Sequence, residues 1–130
     1  MKTCIYKPLR QFAGAVLVLG LSLQPGFSAT PETEESIEHL LAFIENSDCQ
    51  FIRNGTTHGS QEAAAHIRQK YGSIHRKVQT PEQFIEFAAS RSSITGKPYY
   101  VQCDKEPRQL SGDWLREELL RSRATAATSN

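Results

Sequence analysis

Residues 51–71, FIRNGTTHGSQEAAAHIRQKY, set Arg53, Asn54, His58 and His66 around one turn and the start of one helix. An arginine guanidinium is a planar fork suited to two-point recognition of a carboxylate. Histidine exchanges its proton close to neutral pH. Backbone N–H groups at a helix start attract anions. Together these groups form a candidate site for a carboxylate or phosphate. Each also has a structural role open to it. Arg53 can pair with acids elsewhere, His58 can fix the turn, and His66 sits at the edge of an apolar helix face. Asn54 tolerates the left-handed backbone that the turn needs.

A second polar stretch, SRSSITGKPYY, adds Ser92, Ser93 and Tyr99. Either serine becomes a nucleophile only if a histidine approaches it, and no G-x-S-x-G elbow is present to expose one. Lys97 follows Gly96 without the upstream glycine of a phosphate-binding loop. The histidine spacings do not match a metal-binding helix such as H-E-x-x-H, so neither a metal nor a cofactor is expected. Glu118 falls inside the apolar arc of its helix: it is expected to sit at the rim with its head in solvent, the alternative being a carboxylate with a raised pKa or one paired with Arg53 or a histidine.

The elements that must hold these residues are short. TPETEESIEHLLAFIENS starts with Thr30 as N-cap and Pro31 at the first helical position. Its Ile37, Leu40, Leu41 and Ile44 recur at helical spacing. CQFIR reads as a strand closed by the turn Asn54-Gly55. The next helix has Ser60 as its cap and is closed by Gly72 just past its end, burying Ala63, Ile67 and Tyr71. TPEQFIEFAAS carries a capping box, Thr80 with Gln83, and an apolar face of Phe84, Phe87 and Ala88. Tyr99–Cys103 reads as the second strand. A last helix, capped by Ser111, turns Trp114, Leu115 and Leu119 inward. The expectation is a small, mostly helical α+β domain over residues 29–123, ordered α-β-α-α-β-α, with two short paired strands. The tail 124–130 is expected to be disordered.

Residues 1–28 have the layout of a secretory signal peptide: Lys2, Lys7 and Arg10, then an apolar run, then Pro25 and Gly26 before small residues. The run is too short for a membrane span. Cleavage after Ser28 suits the small-residue rule, and no membrane span is expected to remain. The chain then keeps Cys49 and Cys103. An even count in an exported protein suggests a disulfide. A pair of metal or redox thiols is the alternative, though the two do not form C-x-x-C. The whole chain carries 15 basic and 14 acidic residues. Removing Lys2, Lys7 and Arg10 leaves a slight negative excess, which does not favour nucleic acid as a partner.

Five ordered blocks carry a resemblance: C-x-F-I-R-N-G-x-x-H, A-A-x-H-I-R-x-K-Y, T-P-E-x-F-I, S-x-S-S-x-T-G-K-P-Y and W-L-x-x-E-L. In these the chain resembles the YfeK-like family of small exported bacterial proteins of unknown function, over residues 36–123. Among the matching positions are Arg53, Asn54, His58, His66, Lys70, Tyr71, Ser92, Ser93, Tyr99 and Trp114. The resemblance implies a Gram-negative periplasmic protein and implies no activity. The residues point first to a periplasmic binding or interaction module that takes a small anionic ligand or an envelope protein. Its site would comprise Arg53, Asn54, His58, His66, Ser92, Ser93 and Tyr99. The alternatives are a hydrolase-like enzyme with His58 or His66 as base, and a structural or stress-related envelope protein without a pocket.

Overall fold

A computed structural model describes residues 29–129, so the expected signal peptide lies outside the described residues. The first helix, α1 (Pro31–Glu45), begins as expected. Thr30 Oγ1 accepts from the Thr33 amide at 3.2 Å, and the acidic first turn faces the positive end of the helix dipole. Its stripe of Ile37, Leu40, Leu41 and Ile44 is fully buried.

Strand β1 (Gln50–Arg53) then runs into a two-residue turn and returns as β2 (Thr56–Gly59), pairing Phe51 with His58 and Arg53 with Thr56. Asn54 has φ 52° and Gly55 φ 82°. Two positive φ values in succession are what a tight hairpin loop requires, and glycine supplies the second without strain. β2 was not expected. A two-residue Asn-Gly loop implies a returning strand, but Thr-Thr-His-Gly lacks the apolar alternation that marks one. The sheet has four antiparallel strands, not two. Its order is β2-β1-β3-β4, with β3 at Tyr100–Gln102 and β4 at Gln109–Leu110. The expected pairing of β1 with β3 is present, with Phe51 opposite Val101.

Helix α2 (Ser60–Ile74) buries Ala63, Ala64, Ile67 and Tyr71. Ser60 is not its cap. That place belongs to Gly59, which offers no side chain, and Gly72 lies inside the helix rather than closing it. Tyr71 donates to both carboxylate oxygens of Glu34, at 2.8 and 2.9 Å, joining α2 to α1. Burial and this carboxylate push its hydroxyl up to about 12.

Helix α3 begins as an α-turn, Pro81–Phe84, and widens into a π-turn over Ile85–Ala89. Thr80 Oγ1 accepts from the Gln83 amide, while the Gln83 side chain accepts from Gln79 rather than Thr80. The expected apolar face holds for Phe84 and Ala88 but not for Phe87, which is 47% exposed. The π-turn rotates the residues after Phe84 relative to α-helical spacing and buries Ile85 and Ala89 in place of Phe87.

The last helix, α4, spans Ser111–Thr128 with Leu110 at the cap position, so Ser111 is its first residue and not its cap. It continues past Arg123 through a stretch expected to be disordered. The alanines there are strong helix formers, and the Thr125 hydroxyl donates back to the Arg121 carbonyl. Leu115 and Leu119 enter the core, while Trp114 stacks on Phe43 at 4.5 Å between ring centroids.

The observed order is therefore α-β-β-α-α-β-β-α: a small, mostly helical α+β domain with the helices on one face of the sheet. Residues alternate faces along a strand, so Phe51 and Val101 look into the helical layer while Ile52 and Tyr100 look outward. Continuing the β1–β3 register by one residue at either end places Cys49 opposite Cys103, and Arg53 opposite Tyr99. Cys49 and Cys103 form a disulfide, with Cα atoms 4.4 Å apart.

Candidate functional site

The end of the β1–β3 ladder away from the disulfide opens into a cleft. It is lined by Phe51, Ile52 and Arg53 of β1, His58 of β2, Ala63, His66 and Ile67 of α2, then Tyr99 and Ser111. Its walls are apolar and its volume is about 20 Å³, room for little more than one water. The polar groups stand around this apolar throat.

Hairpin geometry delivers two of them. Arg53 pairs with Thr56 across a tight turn, His58 lies two residues beyond Thr56, and the pleat therefore puts Arg53 and His58 on the same face. His58 Nδ1 lies 2.7 Å from Glu62 Oε1, one helical turn into α2, which fixes the ring. His66 comes from the next turn of α2, and its Nε2 lies 3.5 Å from the Tyr99 hydroxyl, with the rings edge to face. Lys70, one turn further along, donates to the Arg91 carbonyl at 2.7 Å and holds its ammonium 5.0 Å from the centre of the Tyr99 ring.

Positive charge dominates the electrostatics of the cluster, with Glu62 acting against it. Burial lowers the His66 pKa from its usual 6.5, and the positive charges of Arg53 and Lys70 lower it further. The Lys70 ammonium is lowered by burial and then by Arg53. Burial raises the Tyr99 hydroxyl, with Arg53 acting against it. Among the described residues, neither Arg53 nor Lys70 forms an ion pair with a carboxylate. Arg53 is half-buried, and its guanidinium has no side-chain hydrogen bond there.

Of the seven residues expected at the site, four meet at this cleft: Arg53, His58, His66 and Tyr99. Ser92 and Asn54 brace it, and Ser93 does not. Ser92 is buried, and its Oγ accepts from the amides of Ile94 and Thr95, closing the loop before Tyr99. Asn54 accepts from the Thr95 hydroxyl at 2.8 Å, tying the hairpin turn to that loop. Ser93 is exposed on the loop surface. The histidine side-chain bonds among the described residues go to Glu118, Glu62, the Gly72 carbonyl and Tyr99, so no serine is paired with a histidine there. Among the described residues, no group of three or more His, Cys, Asp or Glu side chains is placed to hold a metal.

Lys70 and Ser111 were not expected at the site. Lys70 follows His66 by four residues on one helix, a spacing that puts both on one face. Ser111 carries no such signal, because only the return of the chain after β4 brings it beside Tyr99. Glu118 is buried rather than at a solvent-facing rim, and its carboxylate meets His39 Nε2 at 2.8 Å and Arg121 at 2.5 Å. This cluster lies on α1 and α4, and none of its members lines the cleft.

Residues 31–123 match the family of unknown function DUF5329. The chain belongs to that family. It is also 39% identical over 92 residues to "Uncharacterized protein YfeK" of Salmonella typhimurium strain LT2, a match that covers 70% of this chain and 77% of that protein. No solved structure matches the chain. The matched span of the DUF5329 family contains every residue of the cleft.

Proposed function

We propose that this member of the DUF5329 family is a small periplasmic binding module that takes an anionic group at Arg53, beside His66 and Lys70. One observation carries the reading: Arg53 and His66 line a half-enclosed apolar cleft with the Lys70 ammonium beside its Tyr99 wall, and Arg53 has no carboxylate partner among the described residues. Burying a cation without a partner is costly, and an incoming carboxylate removes that cost. Among the described residues, the carboxylate acting on His66, that of Glu62, is held by His58. Export is supported by the signal-like residues 1–28 and by the disulfide, which suits an oxidising compartment. Among the described residues no helix is long and apolar enough to cross a membrane.

The test is a titration of isotope-labelled protein with sodium acetate, and separately with inorganic phosphate, followed by NMR. The His66 ring and Arg53 side-chain signals are expected to move with at least one anion, and Arg53→Ala to abolish the movement. Unmoved signals with both anions would overturn the site. Fractionation of the host cell tests the compartment separately: recovery in the cytoplasm alone removes the export claim.

A further inference from the structure

Ser111 is 1% exposed, and its Oγ is a buried side-chain polar atom without a hydrogen-bond partner among the described residues. Buried hydroxyls are nearly always paired, so an orphan asks what completes it. Its position is fixed, because the Ser111 amide donates to the Tyr99 carbonyl at 2.9 Å. Ser111 lines the same cleft as Arg53 and His66. It is also the first residue of α4, a helix whose start has no side-chain cap. The cleft thus has a cation on one side, apolar walls of Phe51, Ala63 and Ile67, and a hydroxyl without a partner.

We propose that the ligand is a small carboxylate bearing one hydrogen-bonding substituent, of the hydroxy-acid class. Its carboxylate meets Arg53, and its hydroxyl enters the throat to pair with Ser111 Oγ. This rests on the anion-binding reading above and adds the substituent that selects the ligand. The cleft's volume of about 20 Å³ admits a single hydroxyl or methyl and excludes a phosphoryl group from the throat. The guanidinium fork fits a planar carboxylate. A methyl in place of the hydroxyl fits the space but leaves Ser111 Oγ unpaired, and that cost is the basis of selection.

Glycolate and propionate decide the matter, because they differ by a hydroxyl in place of a methyl of similar size. Calorimetric or NMR titration of the full domain is expected to give glycolate about tenfold tighter binding than propionate, the worth of one neutral hydrogen bond. Ser111→Ala removes an unpaired hydroxyl, so it is expected to fold, and it should reduce the ratio to near one. If both anions bind wild type equally, and Ser111→Ala changes neither, the hydroxy-acid assignment is wrong while the anion site stands. Tighter propionate binding would also overturn it, leaving a trapped water as the partner of Ser111. Failure of both anions to bind would instead bring down the anion site itself.

Discussion

His66 is the residue where protonation and binding meet. Its folded pKa lies below 6.5, because burial and the charges of Arg53 and Lys70 disfavour the imidazolium. The unfolded chain therefore takes up the proton first as pH falls. The stabilisation associated with neutral His66 is complete above the unfolded pKa of about 6.5, and is lost as pH drops toward the lower folded value. Urea midpoints of wild type are expected to fall more steeply over that window than those of His66→Gln, and parallel slopes would contradict this. Binding has the opposite sign. An anion beside His66 favours the imidazolium, so affinity should rise as pH falls through the folded pKa. Glu118 makes a different point. Its carboxylate is buried, while His39 and Arg121 are largely exposed. Replacing both partners with alanine strands a charge in the core and should cost about 2 kcal/mol, whereas Glu118→Met should cost little or nothing. Chemical denaturation of the two variants checks the asymmetry.

At the scale of elements, α3 and α4 meet at a contact too close for a side chain. A Cβ on Gly112 would lie 2.4 Å from Ser90 Oγ. That hydroxyl cannot swing away freely, because it donates to the Ile85 carbonyl at 2.8 Å and extends the π-turn pattern by one bond. Gly112→Ala is expected to destabilise by about 1–2 kcal/mol, as overpacking does. The cost should shrink when Ser90→Ala is added, and an additive double mutant would place the strain elsewhere. The same elements show how far sequence patterns reach. The helices were legible because apolar residues recur at helical spacing and Thr-Pro starts carry their own signals. The strands β2 and β4 were not. One is four residues of small and polar side chains, the other only two residues long, and both exist because β1 and β3 supply hydrogen-bond partners. For the site, Arg53, His58 and His66 were legible as polar groups crowded around a turn. Ser111 was not, because no local pattern brings the start of α4 beside Tyr99.

For the whole molecule, the disulfide is the main constraint between the first and second halves of the sheet. It spans a sequence separation of 54 residues. Closing a loop of that length restricts the unfolded chain by an entropy worth about 4 kcal/mol. For a domain of this size that is a large fraction of the total stability. Cys49→Ser with Cys103→Ser is expected to lower the unfolding free energy by about that amount, measured in urea. A change of less than about 1 kcal/mol would mean that the unfolded chain is already constrained there.

The bridge also fixes where the sheet can breathe. Strands β1 and β3 are riveted at Cys49 and Cys103, while Arg53 and Tyr99 occupy the unriveted end of the same ladder. Such a pair opens like a hinge, with its largest excursions at the cleft and its smallest at the sulfurs. Amide hydrogen exchange should therefore quicken along β1 from Gln50 toward Arg53. Reducing the bridge should level that gradient, letting the cleft lose its shape before the helices lose theirs. A ligand seated on Arg53 would act as a second, removable rivet.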